Sequence, residues 1–313
     1  MTFKLSIIIV NWDTCKLVDD CLNSIASNQI SFSTETIVVD NASTDGSIEM
    51  VRTKYPQAKL IENKENVGFA KANNQGFKES SGRYVMFLNS DTIVKLHAID
   101  KIIKFMEMHP EVDIVGPKLL NKDGSLQISA FKLPTLFNSV GDLIFGFFDN
   151  PFSSRFTSKY SRYDREIQVG WVSGACLVAK REAIEKIGGW DETFFMYSED
   201  IVMGIKAKQY GLKTSFFPGA EIIHLRNKSS KASQKRIMQV YESRMKLRRE
   251  HFDGPSFLIY LLATSLIAFS RAIVYSVRFL LQKLVGIEAS FARERVSIYM
   301  KVAFLHIKSA FGA

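Results

Sequence analysis

Arg83-Tyr84-Val85-Met86-Phe87-Leu88-Asn89-Ser90-Asp91-Thr92 decides how this chain folds, because an apolar run stops abruptly at clustered short polar residues. Following the turn residues Ser80-Ser81-Gly82, such a run has the pattern of an interior strand in a sheet covered on both faces. In open α/β sheets, ligands gather at the carboxyl ends of such strands. In extended chain Asn89 and Asp91 point the same way, so they can share one cation or one phosphate-bound metal. Asn-Ser-Asp is equally ordinary turn chemistry after a strand, so the stretch needs support from the rest of the chain.

Upstream the same pattern repeats three times. Leu5-Ser6-Ile7-Ile8-Ile9-Val10 closes in Asn11-Trp12-Asp13, and Thr14 to Ser27 then carries Leu17, Val18, Cys21, Leu22 and Ile25 at helical spacing behind a Thr14 N-cap. Glu35 to Val39 ends in Asp40-Asn41-Ala42-Ser43-Thr44-Asp45-Gly46-Ser47 before a helix from Ile48 to Tyr55. Lys59-Leu60-Ile61-Glu62 leads through Asn66-Val67-Gly68-Phe69 to a helix from Ala70 to Glu79, and the opening stretch is followed by a helix near Ala98 to His109. Strands and helices alternating through short loops predict an α/β fold with a mainly parallel, doubly wound sheet. Neither Gly-x-Gly-x-x-Gly nor Gly-x-x-x-x-Gly-Lys-Ser/Thr is present, so neither a dinucleotide fold nor a P-loop is supported. Polar residues instead end three strands: Asn11 and Asp13, Asp40 and Asn41, Asn89 and Asp91. On one sheet edge they would build a pocket for a nucleotide whose charge needs a metal.

With 313 residues, 46% of them hydrophobic and 23% charged, the chain can bury a sizeable core, which excludes a disordered protein. Cys15, Cys21 and Cys176 form no Cys-x-x-Cys pair, which argues for a reduced, cytosolic compartment. The apolar run at Leu5 to Val10 is too short for a signal peptide. The net charge of +9 is unevenly placed: 25 Lys and Arg stand against 27 Asp and Glu up to Leu225, but 12 against 3 from Arg226 to Lys283. That basic segment borders an apolar run, which favours an anionic membrane surface over nucleic acid.

Further along, Asn121-Lys122-Asp123-Gly124 predicts a hairpin, and Leu136 to Arg165 is aromatic without a clear period. Gly170 to Val178 has the composition of one strand with two glycines, where backbone can approach a ligand. A helix from Arg181 to Ile187 precedes Gly188-Gly189-Trp190-Asp191-Glu192, and Ser198 can cap a helix reaching Tyr210 with Glu199 and Asp200 in its first turn. A strand from Thr214 to Phe217 leads to His224.

Taken in order, Val39 to Ser47, Asn66-Val67-Gly68-Phe69-Ala70, Asn89-Ser90-Asp91, Gly189-Trp190-Asp191-Glu192 and Glu199-Asp200 resemble the inverting nucleotide-sugar glycosyltransferases of the GT-A fold, glycosyltransferase family 2. The rhamnosyltransferase-like branch is the nearest, over about Leu5 to His251. The resemblance implies a catalytic GT-A domain over 1–225. In it Asp40 accepts a hydrogen bond from a pyrimidine N–H, while Asn11, Asn66 and Gly68 flank the base and ribose. It implies that Asp91, with Asn89 in place of the usual first acid and His224 as a possible addition, holds Mg²⁺ or Mn²⁺ against the donor diphosphate. Asp200 becomes the general base, Glu199 the second choice, and Trp171, Trp190 and Asp191 acceptor contacts. Where many relatives carry a second acid and an arginine in the following turn, this chain has Val202 and Lys206.

Residues 226–313 are expected to form a basic, amphipathic helical region. Lys235 to Arg249 is one helix; Phe257 to Ser270 then runs for 14 residues without a charge, short of the roughly 20 that span a bilayer. Thr264, Arg271 and Arg278 recur every seven residues as a polar stripe, and Phe291 to Ile307 adds a second amphipathic segment. The expectation is an interfacial helix at the cytoplasmic face of the cell membrane, with a tilted span over Phe257 to Val277 or packing in a homodimer as alternatives. Together these features point to a peripheral, inverting transferase of rhamnose or a similar sugar. It would move that sugar from a dTDP- or UDP-sugar to a polyprenyl-diphosphate-linked glycan in cell-surface polysaccharide synthesis. The rival classes are a sugar-nucleotide nucleotidyltransferase, which would need a Gly-rich loop with Arg and Lys where Asn11-Trp12-Asp13 stands, and a catalytically dead membrane scaffold, which would have lost Asp40, Asp91 and Asp200.

Overall fold

The computed structural model describes residues 3–145, 163–225 and 234–311. In chain order the elements are β1 (Leu5–Asn11), α1 (Cys15–Ala26), β2 (Thr34–Asp40), α2 (Ser47–Lys54), β3 (Lys59–Glu62), α3 (Phe69–Lys78), β4 (Tyr84–Asn89), β5 (Thr92–Val94), α4 (Ala98–Met108) and β6 (Ile114–Leu120). After them come β7 (Leu126–Gln127), β8 (Ala130–Phe131), α5 (Leu136–Phe145), β9 (Ile167–Gln168), β10 (Trp171–Val172), β11 (Cys176–Lys180), α6 (Arg181–Ile187), α7 (Glu199–Gln209) and β12 (Thr214–His224). Three helices end the chain: α8 (Gln234–His251), α9 (Gly254–Leu284) and α10 (Ser290–Phe311). Two compact units form, residues 1–133 with 158–228 and residues 134–157 with 229–313.

In the first unit the sheet runs β3-β2-β1-β4-β11-β6-β12-β5. Its first four strands are parallel, as the alternating pattern predicts. The other half is mixed, because β11 pairs antiparallel with both β4 and β6. The central strands β1, β4 and β11 are buried on both faces, and their side chains alternate between two cores. Ile7, Ile9, Tyr84, Met86 and Leu88 pack with Val18 of α1 and Ile99 of α4. Ile8, Val85 and Phe87 point the other way, to Ala70 of α3, Ile184 of α6 and Met203 of α7.

Several local expectations change. Past Asn89 the chain does not stay extended: it turns, and Thr92 Oγ1 donates to the Asn89 carbonyl at 2.8 Å. Gly170 to Val178 is two strands, because Ser173-Gly174-Ala175 turns the chain from a ribbon with β8 into the main sheet beside β4. β12 runs on to His224 through a register shift between Phe217 and Glu221. The Asn121 to Gly124 hairpin forms, pairing Leu120 with Leu126. Neither expected cap uses its hydroxyl on a helix N–H: Thr14 donates to Asn11 Oδ1 at 2.6 Å, and Ser198 has a left-handed backbone.

The second unit is helical. α5 forms within a stretch that shows no clear sequence period; 146–162 lies outside the described residues. Tyr241 of α8, Tyr260 and Ala268 of α9, and Ile298 and Val302 of α10 close a core with Leu143 of α5.

Candidate active site

A cavity of about 200 Å³ opens at the carboxyl ends of β1, β2 and β4, lined among others by Trp12, Asn41, Asn66, Asn89, Asp91 and Met196. Behind its lining, the cavity floor is held by a knot of side-chain bonds between neighbouring loops. Asn11 Nδ2 donates to Asp40 Oδ2 at 2.8 Å, and the Ser43 N–H and hydroxyl donate to the two Asp40 oxygens at 2.7 and 2.8 Å. Asp40 and Asn11 are therefore buried, at 1% and 0% exposure, and hold the loop after β2 against the loop after β1. Asn41 is the neighbour that reaches the cavity, and its Nδ2 donates to the Gly68 carbonyl at 3.2 Å.

Asn66 accepts the Gly68 N–H at 3.0 Å, which shapes the turn into α3. Gly68 has φ +89°, and a Cβ there would stand 2.7 Å from the Phe195 carbonyl oxygen. Only glycine fits, and the fit lets the Phe69 N–H donate to that same oxygen at 2.8 Å. The loop before α7 is thereby pinned to the cavity wall.

On the opposite edge, β12 pairs antiparallel with β5 and brings His224 to Thr92 and Asp91. His224 Nε2 lies 3.2 Å from Asp91 Oδ1, and both side chains are mostly buried. His224 Nδ1 stands 2.7 Å from Gln127 Oε1, whose amide nitrogen is committed to the Asn121 side chain and the His224 carbonyl. That network assigns the ring proton to Nδ1, leaving the Nε2 lone pair facing a carboxylate. Two acceptors at that distance need a proton or a metal cation between them. Asn89 Oδ1 is buried and without a hydrogen-bond partner. An imidazole, a carboxylate and an orphaned amide oxygen suit a divalent ion such as Mg²⁺ or Mn²⁺. Among the described residues no group of three His, Cys, Asp or Glu side chains gathers, so the donor diphosphate or water would have to complete the coordination.

Asp200 connects to this edge through the turn 173–175. The Asn89 N–H donates to the Ala175 carbonyl at 3.0 Å, and the Gly174 N–H in the same turn donates to Asp200 Oδ2 at 3.1 Å. Tyr197 and Ser198, at φ +72° and +73°, bend the chain so that α7 begins there. Two consecutive non-glycine residues in this region store about 1–3 kcal/mol each, a cost typical of functional sites. Burial raises both acids: Asp200 to about 6, opposed by the Gly174 and Ile201 N–H groups, and Glu199 to about 8, with the Asp200 charge adding to the rise. Burial thus favours the neutral form of both acids, more strongly for Glu199.

A stability prediction follows with its sign. Glu199 has a folded pKa above its unfolded value of 4.5, so its contribution is present below that value and is lost as pH rises to about 8. Glu199→Gln should therefore gain stability relative to wild type across that window, by about 1–3 kcal/mol. Chemical denaturation at several pH values reads the difference; a flat difference would show that Glu199 is not held neutral.

The resemblance also implies acceptor contacts at Trp190, Asp191 and Trp171. Trp190 is 2% exposed and packs edge-on against Phe69 and Phe87 at 5.5 and 5.1 Å. Its large apolar surface is buried where the loop before α7 meets α3 and β4, and there it supports Phe69. Asp191 accepts from Thr193 and pairs with Lys206 at 3.2 Å. Trp171 is partly exposed, stacks on Phe131 at 4.1 Å and donates its ring N–H to the Lys132 carbonyl. Sequence reasoning missed Trp12, a cavity-lining indole that is 52% exposed, and Gln127, which lies in a two-residue strand with no motif around it.

The glycosyl transferase family 2 model matches residues 6–188. The chain is 29% identical over 201 residues to an N-acetylglucosaminyl-diphospho-decaprenol L-rhamnosyltransferase of Mycobacterium tuberculosis, a match covering 60% of this chain and 65% of that protein. Two solved structures share the fold at low identity. GalNAc-T7 with UDP, GalNAc and Mn²⁺ has a TM-score of 0.58 at 14% identity, covering 99% of this chain and 58% of that one. The mannosyltransferase PcManGT of Pyrobaculum calidifontis with GDP-Man and Mn²⁺ has a TM-score of 0.54 at 16% identity, covering 99% and 88%. The matched residues are those that build the parallel strands, the cavity floor, the Asn89 to Asp91 turn and the turn that holds Asp200, and the chain belongs to glycosyl transferase family 2.

Proposed function

We propose that the chain transfers rhamnose or a similar sugar, with inversion, from a dTDP- or UDP-sugar to a polyprenyl-diphosphate-linked glycan at the cytoplasmic face of a membrane. The product would enter a cell-surface polysaccharide. The observation that carries this reading is the turn 173–175, which bonds to Asn89 on one side and to the buried Asp200 on the other. That link supports a base for an acceptor hydroxyl a few bonds from a cation site. The lipid-linked acceptor is supported by the name of the M. tuberculosis relative.

In this reading Trp12 offers a flat face to the base, and Asn66 and the Gly68 backbone border the ribose. Asp40 accepts from the base N–H with the lone pairs that Asn11 and Ser43 leave over. Asp91, His224 and Asn89 would hold the divalent ion, which when bound supplies positive charge to the leaving diphosphate. Asp200 accepts the proton of the attacking hydroxyl; inversion in a single displacement calls for one base and no covalent nucleophile. Burial favours the neutral form of Glu199, which would keep a second negative charge away from that hydroxyl. Trp171 and Asp191 stand as the acceptor contacts.

The test is a panel of nucleotide sugars, read by thermal stabilisation and by transfer to polyprenyl-diphosphate-linked N-acetylglucosamine. A pyrimidine donor at a hundred times its Kd should stabilise the protein by about 2.7 kcal/mol. Stabilisation by GDP-sugars alone, or a product that retains the donor's anomeric configuration, would sink the reading.

A further inference from the structure

The helical unit is built inside out. In α9 the polar positions Thr264, Ser265 and Arg271 are buried, while Leu258, Leu262, Leu266, Phe269, Ile273 and Val277 stand 41–71% exposed. Their spacing of three and four puts these six on one side of the helix, a stripe about 30 Å long. Nothing charged interrupts it. The polar side bonds inside the unit: the Arg271 Nη groups donate to Tyr241 Oη at 3.2 Å and to the Leu143 carbonyl, and the Thr264 and Ser265 hydroxyls donate back along the helix at 2.7 and 2.8 Å. Thr264 and Arg271 of the polar stripe therefore face the bundle, whereas Arg278, its third member, is exposed, and apolar surface is left outside.

What covers that surface is indicated by the exposed charges of the same helical unit. The exposed charges from 254 to 311 are Arg278, Lys283, Glu288, Arg293, Lys301 and Lys308, five cations and one anion. Near the start of α10, Arg278 and Arg295 lie over the Phe291 ring at 5.9 and 4.8 Å, and Tyr275 stacks on Tyr299 at 5.7 Å. Aromatic rings with cations are the composition found at the headgroup level of membranes.

We propose that this unit docks in the plane of an anionic lipid leaflet, with the Leu258 to Val277 stripe among the acyl chains and the surrounding Lys and Arg at the phosphates. A leaflet matches both the apolar stripe and the positive rim. Two copies meeting stripe to stripe would set like-charged rims against each other. α9 is long and apolar enough to cross a membrane, but α8 exposes Glu242, Arg244, Arg249 and Glu250, and α10 exposes Lys301 and Lys308. Crossing as a bundle would bring those charges into hydrocarbon, whereas in-plane docking immerses only the uncharged side.

The test is flotation of the full chain with vesicles of phosphatidylglycerol and phosphatidylcholine, and with phosphatidylcholine alone. The mixed vesicles should bind more tightly. Leu266→Glu with Ile273→Glu should weaken binding by about ten- to a hundredfold. Lys283→Gln, Lys301→Gln and Lys308→Gln should each remove about fivefold, all of it from the salt-sensitive part. Unchanged circular dichroism would confirm that the variants fold. Wild-type binding by the double Glu variant overturns the proposal, as does resistance of the bound protein to alkaline carbonate, which means a span. So does a wild-type dimer that ignores vesicles and is split by the same pair of substitutions. Flotation uses no sugar donor, so failure here leaves the glycosyl-transfer reading standing.

Discussion

Asp200→Asn should lower turnover by about 10²–10⁴-fold while donor binding stays near its wild-type strength. The amide keeps the shape and can still accept the Gly174 N–H, which in the wild type reaches Asp200 Oδ2 at 3.1 Å. What it loses is basicity. Burial raises Asp200 to about 6, so the wild-type pH profile of kcat/KM should fall on the acid side below about that value, and the residual activity of the amide variant should lack that limb. Single-turnover transfer at several pH values, beside donor binding by calorimetry, separates the two effects. A dead Glu199→Gln beside an Asp200→Asn that turns over normally would reverse the assignment. Loss of donor binding in Asp200→Asn would mean that the acid holds the loop before α7 and does not act on the acceptor.

Asp91→Ala should abolish most transfer, by about 10²–10⁴-fold, since charge stabilisation of a leaving diphosphate is worth several kcal/mol. Asn89→Ala should cost less, because a neutral amide oxygen brings no charge. His224→Ala should lie between them, since it removes one side of the contact at 3.2 Å but leaves the carboxylate. Binding of the nucleoside diphosphate should show the same order when Mn²⁺ is present and much less difference without it. Full transfer by the wild type in excess chelator would remove the metal from the reading. In that case the Asp91 and His224 contact is a structural hydrogen bond, and His224→Ala should lower stability more than rate.

Much of this protein was legible locally. The strand ending at Asn89 follows from an apolar run after a glycine turn, and α1, α3 and α4 from apolar residues recurring at helical spacing. The order of short polar loops after successive strands pointed to one sheet edge, because parallel strands with right-handed crossovers deliver all their carboxyl ends to the same side. Periodicity carries such information because it depends only on the backbone repeat of each element.

Only the tertiary structure decided which side chains meet. His224 faces Asp91 because β12 runs through a register shift and pairs with β5, and Gln127, 97 residues before His224, fixes its proton. The glycines of 170–178 looked like one strand, yet a turn there supplies the N–H that holds Asp200. Trp190 stands in a motif that suggests a ligand contact, and only the fold shows that its indole is 2% exposed and packed into the core. The seven-residue recurrence of Thr264 and Arg271 marked a polar stripe on α9 but not its direction. Helical spacing states which residues share a face, whereas the partners packed against the helix determine whether that face meets protein or surroundings.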